Sequence, residues 1–188
     1  MKITRGLAAL AFVALTASDG FAQSRAMGSF HGLFTAHLGI AAGGEVSEAR
    51  LTPGLSVSVQ EGNGWGAELD FGHTSDAPAG VQVLDLTTYM ANAFWMKPEG
   101  SIRPFGLVGG GIMQIDGCNS PCNSPAKTYD LGLTIGGGVQ AVLHESFGLR
   151  GDLRYFFSGA DHPDLQRPDN FGFWRISIGA TFMWAISP

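Results

Sequence analysis

Five histidines and two cysteines are the residues of this chain whose types most readily support chemistry. The histidines are scattered over predicted strands and turns, at His31, His37, His73, His144 and His162. Hydrolysis would need a nucleophile, a general base and an orienting acid gathered at one place in the fold. We predict no catalytic site among these histidines. His162, followed by a proline, is expected to serve a turn.

The two cysteines lie close together in the stretch Cys118-Asn119-Ser120-Pro121-Cys122. In an exported protein such a pair is expected to form a disulfide that holds a loop. A metal site would require further ligands, and Asp116 is the only nearby candidate. The acids Asp161, Asp164 and Asp169 match no cation-binding loop. We therefore predict no metal site and no cofactor.

The residues above would be held by β-strands, and the last segment, 171–184, shows the strand pattern most clearly. Side chains alternate between the two faces of a strand. One face is apolar, with aromatic residues near its ends: Gly172, Trp174, Ile176, Ile178, Ala180, Phe182 and Trp184. The other face carries the polar and small residues: Phe171, Phe173, Arg175, Ser177, Gly179, Thr181 and Met183. An apolar face that ends in aromatic residues is typical of a strand that crosses a lipid bilayer.

The chain begins with a predicted secretory signal. Lys2 and Arg5 precede an apolar stretch of 12 residues, 6–17, and small residues lead to a cleavage site after Ala22. That stretch is shorter than the ~20 residues that a membrane-spanning helix needs. The division is then a cleaved signal, 1–22, and one mature domain, 23–188. Charged residues make up only 14% of the chain, below the ~25% usual for soluble domains, and the net charge of −5 argues against a nucleic-acid partner.

Alternating segments recur along the mature domain and predict eight strands. They cover residues 30–42, 51–60, 65–73, 83–96, 103–115, 128–143, 147–157 and 171–184. The segment 103–115 is too rich in glycine for its faces to be assigned. Short polar turns at 61–64, 97–101 and 144–146 alternate with longer connections at 43–50, 75–82, 116–127 and 159–170. This alternation favours an all-β, eight-stranded, antiparallel up-and-down transmembrane barrel, with both termini on the periplasmic side.

The charged residues within the strands indicate which face is the interior. Three acids and three bases fall on the face opposite the lipid-facing aromatic residues: Glu68, Asp70, Arg150, Asp152, Arg154 and Arg175. An Arg or Lys facing lipid at mid-membrane costs about 2–4 kcal/mol. Charges inside so narrow a barrel must pair or stay hydrated, so we predict an interior ion-pair network. A proton or ion path and a ligand site remain the other interpretations of this set.

The sequence resembles the small eight-stranded outer-membrane barrels, such as OmpX and the membrane domain of OmpA. The resemblance covers the whole mature chain and is carried by 103–111, by 148–155 and by the end of the last strand. There Ser177, Gly179, Phe182 and Trp184 are similar to the terminal signal that the barrel-assembly machinery recognises. Members often stop at the final aromatic residue, whereas residues 185–188 follow it here. The resemblance implies an outer-membrane location, lipid and lipopolysaccharide as neighbours, and a monomer.

These observations favour an integral outer-membrane barrel with a structural, envelope-stabilising or surface-interaction role, and no enzymatic activity. The family is functionally mixed, so the fold alone does not assign a role. One alternative is a narrow pore or a conduit for a small ligand. Another is an enzyme that modifies lipid or lipopolysaccharide. The chain lacks the His-x-Ser-Asn stretch on a late strand by which lipid A deacylase barrels are known.

Overall fold

The structure, a computed structural model, describes residues 30–44, 46–79, 82–118, 125–159 and 171–186. The predicted signal and its cleavage site lie outside these ranges and stay a prediction. Within them, no helix is long and apolar enough to cross a membrane.

Eight antiparallel strands follow one another around a closed barrel, and the first pairs with the last. Their bounds are β1 Phe30–Gly43, β2 Val46–Glu61, β3 Trp65–Ala79, β4 Gln82–Met96, β5 Ile102–Cys118, β6 Pro125–His144, β7 Phe147–Ser158 and β8 Phe171–Ile186. The predicted fold class is confirmed. Because every strand is paired on both sides, the barrel leaves no open sheet edge.

The connections differ from the prediction at one end of the barrel. Residues predicted as long connections at 43–50, 75–82 and 116–127 largely continue the strands, and only 44–45, 80–81 and 119–124 separate them. Strict alternation of apolar and polar residues ends where the strands leave the membrane, although the backbone ladder continues. We call this the loop end, since it also carries the 159–170 connection. The other end, with 62–64, 97–101 and 145–146, is the turn end.

The outer wall of the barrel has an apolar band bounded by aromatic residues. Exposed aromatic side chains near the turn end are Phe30, Phe34, Trp65, Trp95, Phe147, Phe182 and Trp184, and those near the loop end are Phe71, Tyr89, Tyr129, Phe157 and Trp174. Ten residue steps separate Trp174 from Trp184. At about 3.3 Å per residue and a tilt of about 40°, they span roughly 25 Å, the height of an outer-membrane apolar band. No charged side chain of the described residues lies on the wall between these belts.

The faces of β5, which its glycines left unassigned, are clear in the structure. Phe105 and Leu107 are buried in the lumen, whereas Pro104 and Val108 face outward. Large apolar side chains therefore enter the interior from a strand whose sequence shows little alternation.

Candidate functional site

Six charged side chains meet in the middle of the lumen, and they are the six predicted from the sequence. Arg154 is the hub, with guanidinium nitrogens 2.9 Å from Glu68, 3.2 Å from Asp70 and 3.0 Å from Asp152. Arg150 lies 2.7 Å from Glu68 and 3.5 Å from Asp152. Arg175 completes the set, 2.8 Å from Asp70. All six side chains are buried, so each charge depends on the others for compensation.

Three further side chains, which the sequence did not assign to this network, also join it. Ser177 donates a hydrogen bond of 2.7 Å to Asp152, and Asn92 donates one of 3.0 Å to Glu68. His37 Nε2 lies 3.3 Å from a carboxylate oxygen of Asp70. Inward alternation marks all three as lumen residues, but only the strand register shows which acid each one meets. We call these nine side chains, Ser177, Asn92 and His37 with the six charged residues, the central network.

Two apolar clusters fill the lumen on either side of the central network. The loop-end cluster consists of Ala41, Val46, Leu86, Met90, Met113, Ile115, Phe156, Phe171 and Phe173. The turn-end cluster consists of Leu33, Phe94, Met96, Phe105, Leu107 and Met183. The lumen therefore has three layers, apolar, ionic and apolar.

Two arginines join the central network to the apolar clusters. The Arg150 guanidinium carbon lies 4.1 Å from the centre of the Phe105 ring, and that of Arg175 lies 4.9 Å from the centre of the Phe156 ring. A cation over an aromatic face is attractive, and more so where water is excluded. These contacts connect the ionic layer to the apolar cluster on each side of it.

This geometry has counterparts among solved structures, although no protein-family model and no curated protein matches the sequence. The structure is similar to Neisserial surface protein A, NspA, with a TM-score of 0.61 and 14% identity over 84% of this chain and 98% of that one. It is also similar to the N-terminal β-barrel domain of Pseudomonas aeruginosa OprF, with a TM-score of 0.59 and 17% identity over 84% and 100%. The protein has the fold of the small outer-membrane β-barrels. A third such barrel is Ail, the attachment invasion locus protein of Yersinia pestis, with a TM-score of 0.55 and 16% identity over 84% and 100%.

The resemblance read from the sequence is thus confirmed for the fold of this outer-membrane barrel. At these identities the likeness concerns the fold alone, and the named relatives differ in role. The expectation that the protein is not an enzyme stays a prediction at this point.

The residues of the predicted insertion signal lie on both faces of β8 in this barrel. Ser177 and Gly179 face the lumen, whereas Phe182 and Trp184 lie on the outer wall near the turn end. Trp184 pairs across the strands with Gly32, and its ring occupies the space that a Cβ at Gly32 would need. Glycine at 32 therefore makes room for the final aromatic residue.

The predicted disulfide cannot be placed in this barrel, because Cys122 lies outside the described residues. Cys118 ends β5, and only its backbone is described. The bond between Cys118 and Cys122 stays a prediction. His162 and the acids Asp161, Asp164 and Asp169 also lie outside the described ranges.

A second polar cluster, missed from the sequence, lies on the outer wall at the loop end. His73 Nδ1 is 2.9 Å from Thr87 Oγ1, and His73 Nε2 is 3.0 Å from Ser75 Oγ. The spacing of His73 and Ser75, two positions apart on one strand, was visible in the sequence as a sign that they share a face. The contribution of Thr87 was not visible, because it depends on the pairing of β3 with β4.

Proposed function

We propose that the protein is an integral β-barrel of the outer membrane of a Gram-negative-type bacterium, with a structural, envelope-stabilising or surface-interaction role. The lumen serves to hold the wall together and is not a conduit. The single observation that carries this proposal is the three-layer filling, in which a central network of ion pairs lies between two apolar clusters.

The ionic layer supports a structural role because its opposite charges lie in contact with one another. Glu68, Asp70 and Asp152 each contact two arginines. An ion path needs charged groups that exchange partners with passing ions or water, whereas these are held in mutual contact and buried. A narrow pore, the main alternative, would have to displace both apolar clusters as well.

The outer wall of the barrel indicates which molecules we propose as its surroundings. Its apolar band would contact lipid, with lipopolysaccharide on the outer side, and the protein would act as a monomer. The barrel-assembly machinery would recognise Ser177, Gly179, Phe182 and Trp184 during insertion. Both termini would lie in the periplasm, since an even number of strands brings β1 and β8 to the same end, here the turn end.

Conductance across planar bilayers tests the proposal. The mature chain is refolded into vesicles of phospholipid and lipopolysaccharide, and folding is verified by a difference in gel mobility between unheated and boiled samples. We expect wild-type protein to give no conductance steps. The matched variants Arg150→Ala and Arg154→Ala weaken the central layer, and Arg103→Ala, near the turn end, is the control. Conductance by folded wild-type protein that changes in the first two variants and not in the control would establish a pore instead.

A further inference from the structure

The outer-wall cluster of His73, Ser75 and Thr87 has the geometry of an activated hydroxyl. His73 Nε2 lies 3.0 Å from Ser75 Oγ, within reach for removal of the hydroxyl proton. His73 Nδ1 lies 2.9 Å from Thr87 Oγ1, which fixes the orientation of the ring. In the tautomer that base catalysis requires, Nδ1–H donates to the Thr87 oxygen and Nε2 accepts from the Ser75 hydroxyl. Thr87 is buried, whereas Ser75 is exposed.

A second histidine and serine with the same spacing show that the spacing alone does not bring the imidazole to the serine hydroxyl. His144 and Ser146 are also two positions apart, at the turn end. There the histidine Nδ1 accepts a hydrogen bond of 3.5 Å from the backbone N–H of Ser146. At His73 and Ser75, on the strand, the imidazole contacts the serine hydroxyl, whereas at the turn it contacts the serine backbone.

The position of the cluster on the wall indicates what could reach it. Phe71 and Tyr89, whose ring centres are 5.3 Å apart, belong to the loop-end aromatic belt. His73 and Thr87 are each two residues beyond this pair and directly opposite each other. Aromatic belts mark the boundary between hydrocarbon and headgroups. Ester bonds that join acyl chains to the headgroups of amphiphiles lie at that same boundary.

The backbone beside Ser75 is irregular in a way that suits a reaction site. The pairing of β3 with β4 shifts between Thr74 and Ala77, so that two residues, Ser75 and Asp76, oppose Asp85 alone. Such a bulge leaves one residue out of the ladder and re-aims the adjacent side chain.

We propose that His73, Ser75 and Thr87 form an esterase site for acyl esters of membrane amphiphiles in the leaflet at the loop end. This inference goes beyond the structural role of the lumen, does not depend on it, and departs from the expectation of no catalysis. Ser75 Oγ attacks the ester carbon as its proton passes to His73 Nε2, and the alcohol leaves with that proton. Water then attacks the acyl-serine, giving its proton to His73, and the carboxylic acid is released as the serine is reprotonated. Thr87 is the positioning residue, and its hydroxyl takes the place that an orienting acid has in a Ser-His-Asp triad.

Acid release from two probes tests the site on the full mature chain. One probe is a vesicle of phospholipid and lipopolysaccharide, with released fatty acids measured by mass spectrometry. The other is a soluble nitrophenyl ester of a medium-chain acid. We expect Ser75→Ala to abolish release and His73→Ala to lower it about 100-fold or more. Ser146→Ala, in the pair that lacks the hydroxyl contact, should behave as wild type, and heat-dependent gel mobility should show that every variant is folded.

The positioning role of Thr87 can be tested by a measurement that a loss of folding would not reproduce. Thr87→Val should lower the turnover number and shift the pH profile of the reaction, whereas Thr87→Ser should restore both. Hydrolysis of neither probe by wild-type protein, or equal hydrolysis by wild type and Ser75→Ala, would overturn the proposal. Hydrolysis of the soluble ester alone would retain the catalytic group and overturn the assignment of a membrane amphiphile as substrate. None of these hydrolysis results bears on the conductance test, so this proposal and the structural one can fail separately.

Discussion

Arg154 reaches Glu68 across the width of the barrel. Arg154 Nη1 lies 2.9 Å from Glu68 Oε1, and the two residues are 86 positions apart in the chain. They extend from β7 and β3, which are four strands apart in a ring of eight and therefore lie on opposite walls. This one contact crosses the middle of the lumen and ties its two sides together. The stability of the barrel should accordingly be sensitive to changes in the central network.

Glu68→Gln should destabilise the folded barrel by about 3–5 kcal/mol, because it leaves Arg150 and Arg154 with less negative charge than they need in a buried site. Urea unfolding of the protein in lipid vesicles measures the change. The control is Glu48→Gln, since Glu48 pairs at 2.9 Å with Arg50 and the Glu48 side chain is largely exposed to solvent. Its effect should be below about 1 kcal/mol. Similar losses in the two variants would contradict a structural role for the central network.

Arg154→Met should cost more than Arg175→Met. Arg154 contacts three carboxylates, whereas the ion pairs of Arg175 go to Asp70. Asp70 keeps Arg154 as a partner when Arg175 is replaced. With hydrogen bonds to charged groups worth about 1.5–3 kcal/mol each, the difference in unfolding free energy should be at least about 1.5 kcal/mol. The reverse order would show that Arg154 is not the hub.

An arginine placed on the outer wall should report the depth of the membrane. Ile178 is 65% exposed and lies near the middle of β8 between Trp174 and Trp184, so Ile178→Arg should cost about 2–4 kcal/mol. Ile186 lies beyond Trp184, and Ile186→Arg should cost at most about 1 kcal/mol. Unfolding free energies in vesicles give both values. Equal costs would mean that the apolar band does not lie where the aromatic belts place it.

Gly32→Ala should destabilise the barrel by about 1–3 kcal/mol, because the added methyl would collide with the Trp184 ring. A matched control is Gly151→Ala on the outer wall, where a Cβ would meet only a backbone oxygen at 3.8 Å, an ordinary contact. The second change Trp184→Leu should recover part of the loss in Gly32→Ala. The fraction of folded protein and the urea midpoint measure these effects. A neutral Gly32→Ala variant would refute the packing of Trp184 over Gly32.

Strand number and sidedness could be predicted from the sequence because both depend on local alternation. In β2, for example, every second residue from Leu51 to Val59 is apolar and exposed, while its neighbours are buried. Strand ends were predicted less well. Outside the membrane both faces of a strand can be polar, so the period of two disappears while the hydrogen-bonded ladder continues. The connections predicted at the loop end were therefore longer than those in the structure.

The sequence by itself determined that this chain is a barrel with a lipid-facing wall and inward charges, since alternation is a property of neighbouring residues and hydrocarbon excludes ions. Only the tertiary structure decided which inward residues meet, because partners across the lumen depend on the number of strands and on their stagger. That is why Glu68 could be assigned to the interior, but its contact with Arg154 could not. It is also why the apolar layers around Phe105 and Phe156, and the meeting of His73 with Thr87, emerged only when the barrel was closed and its strands were in register.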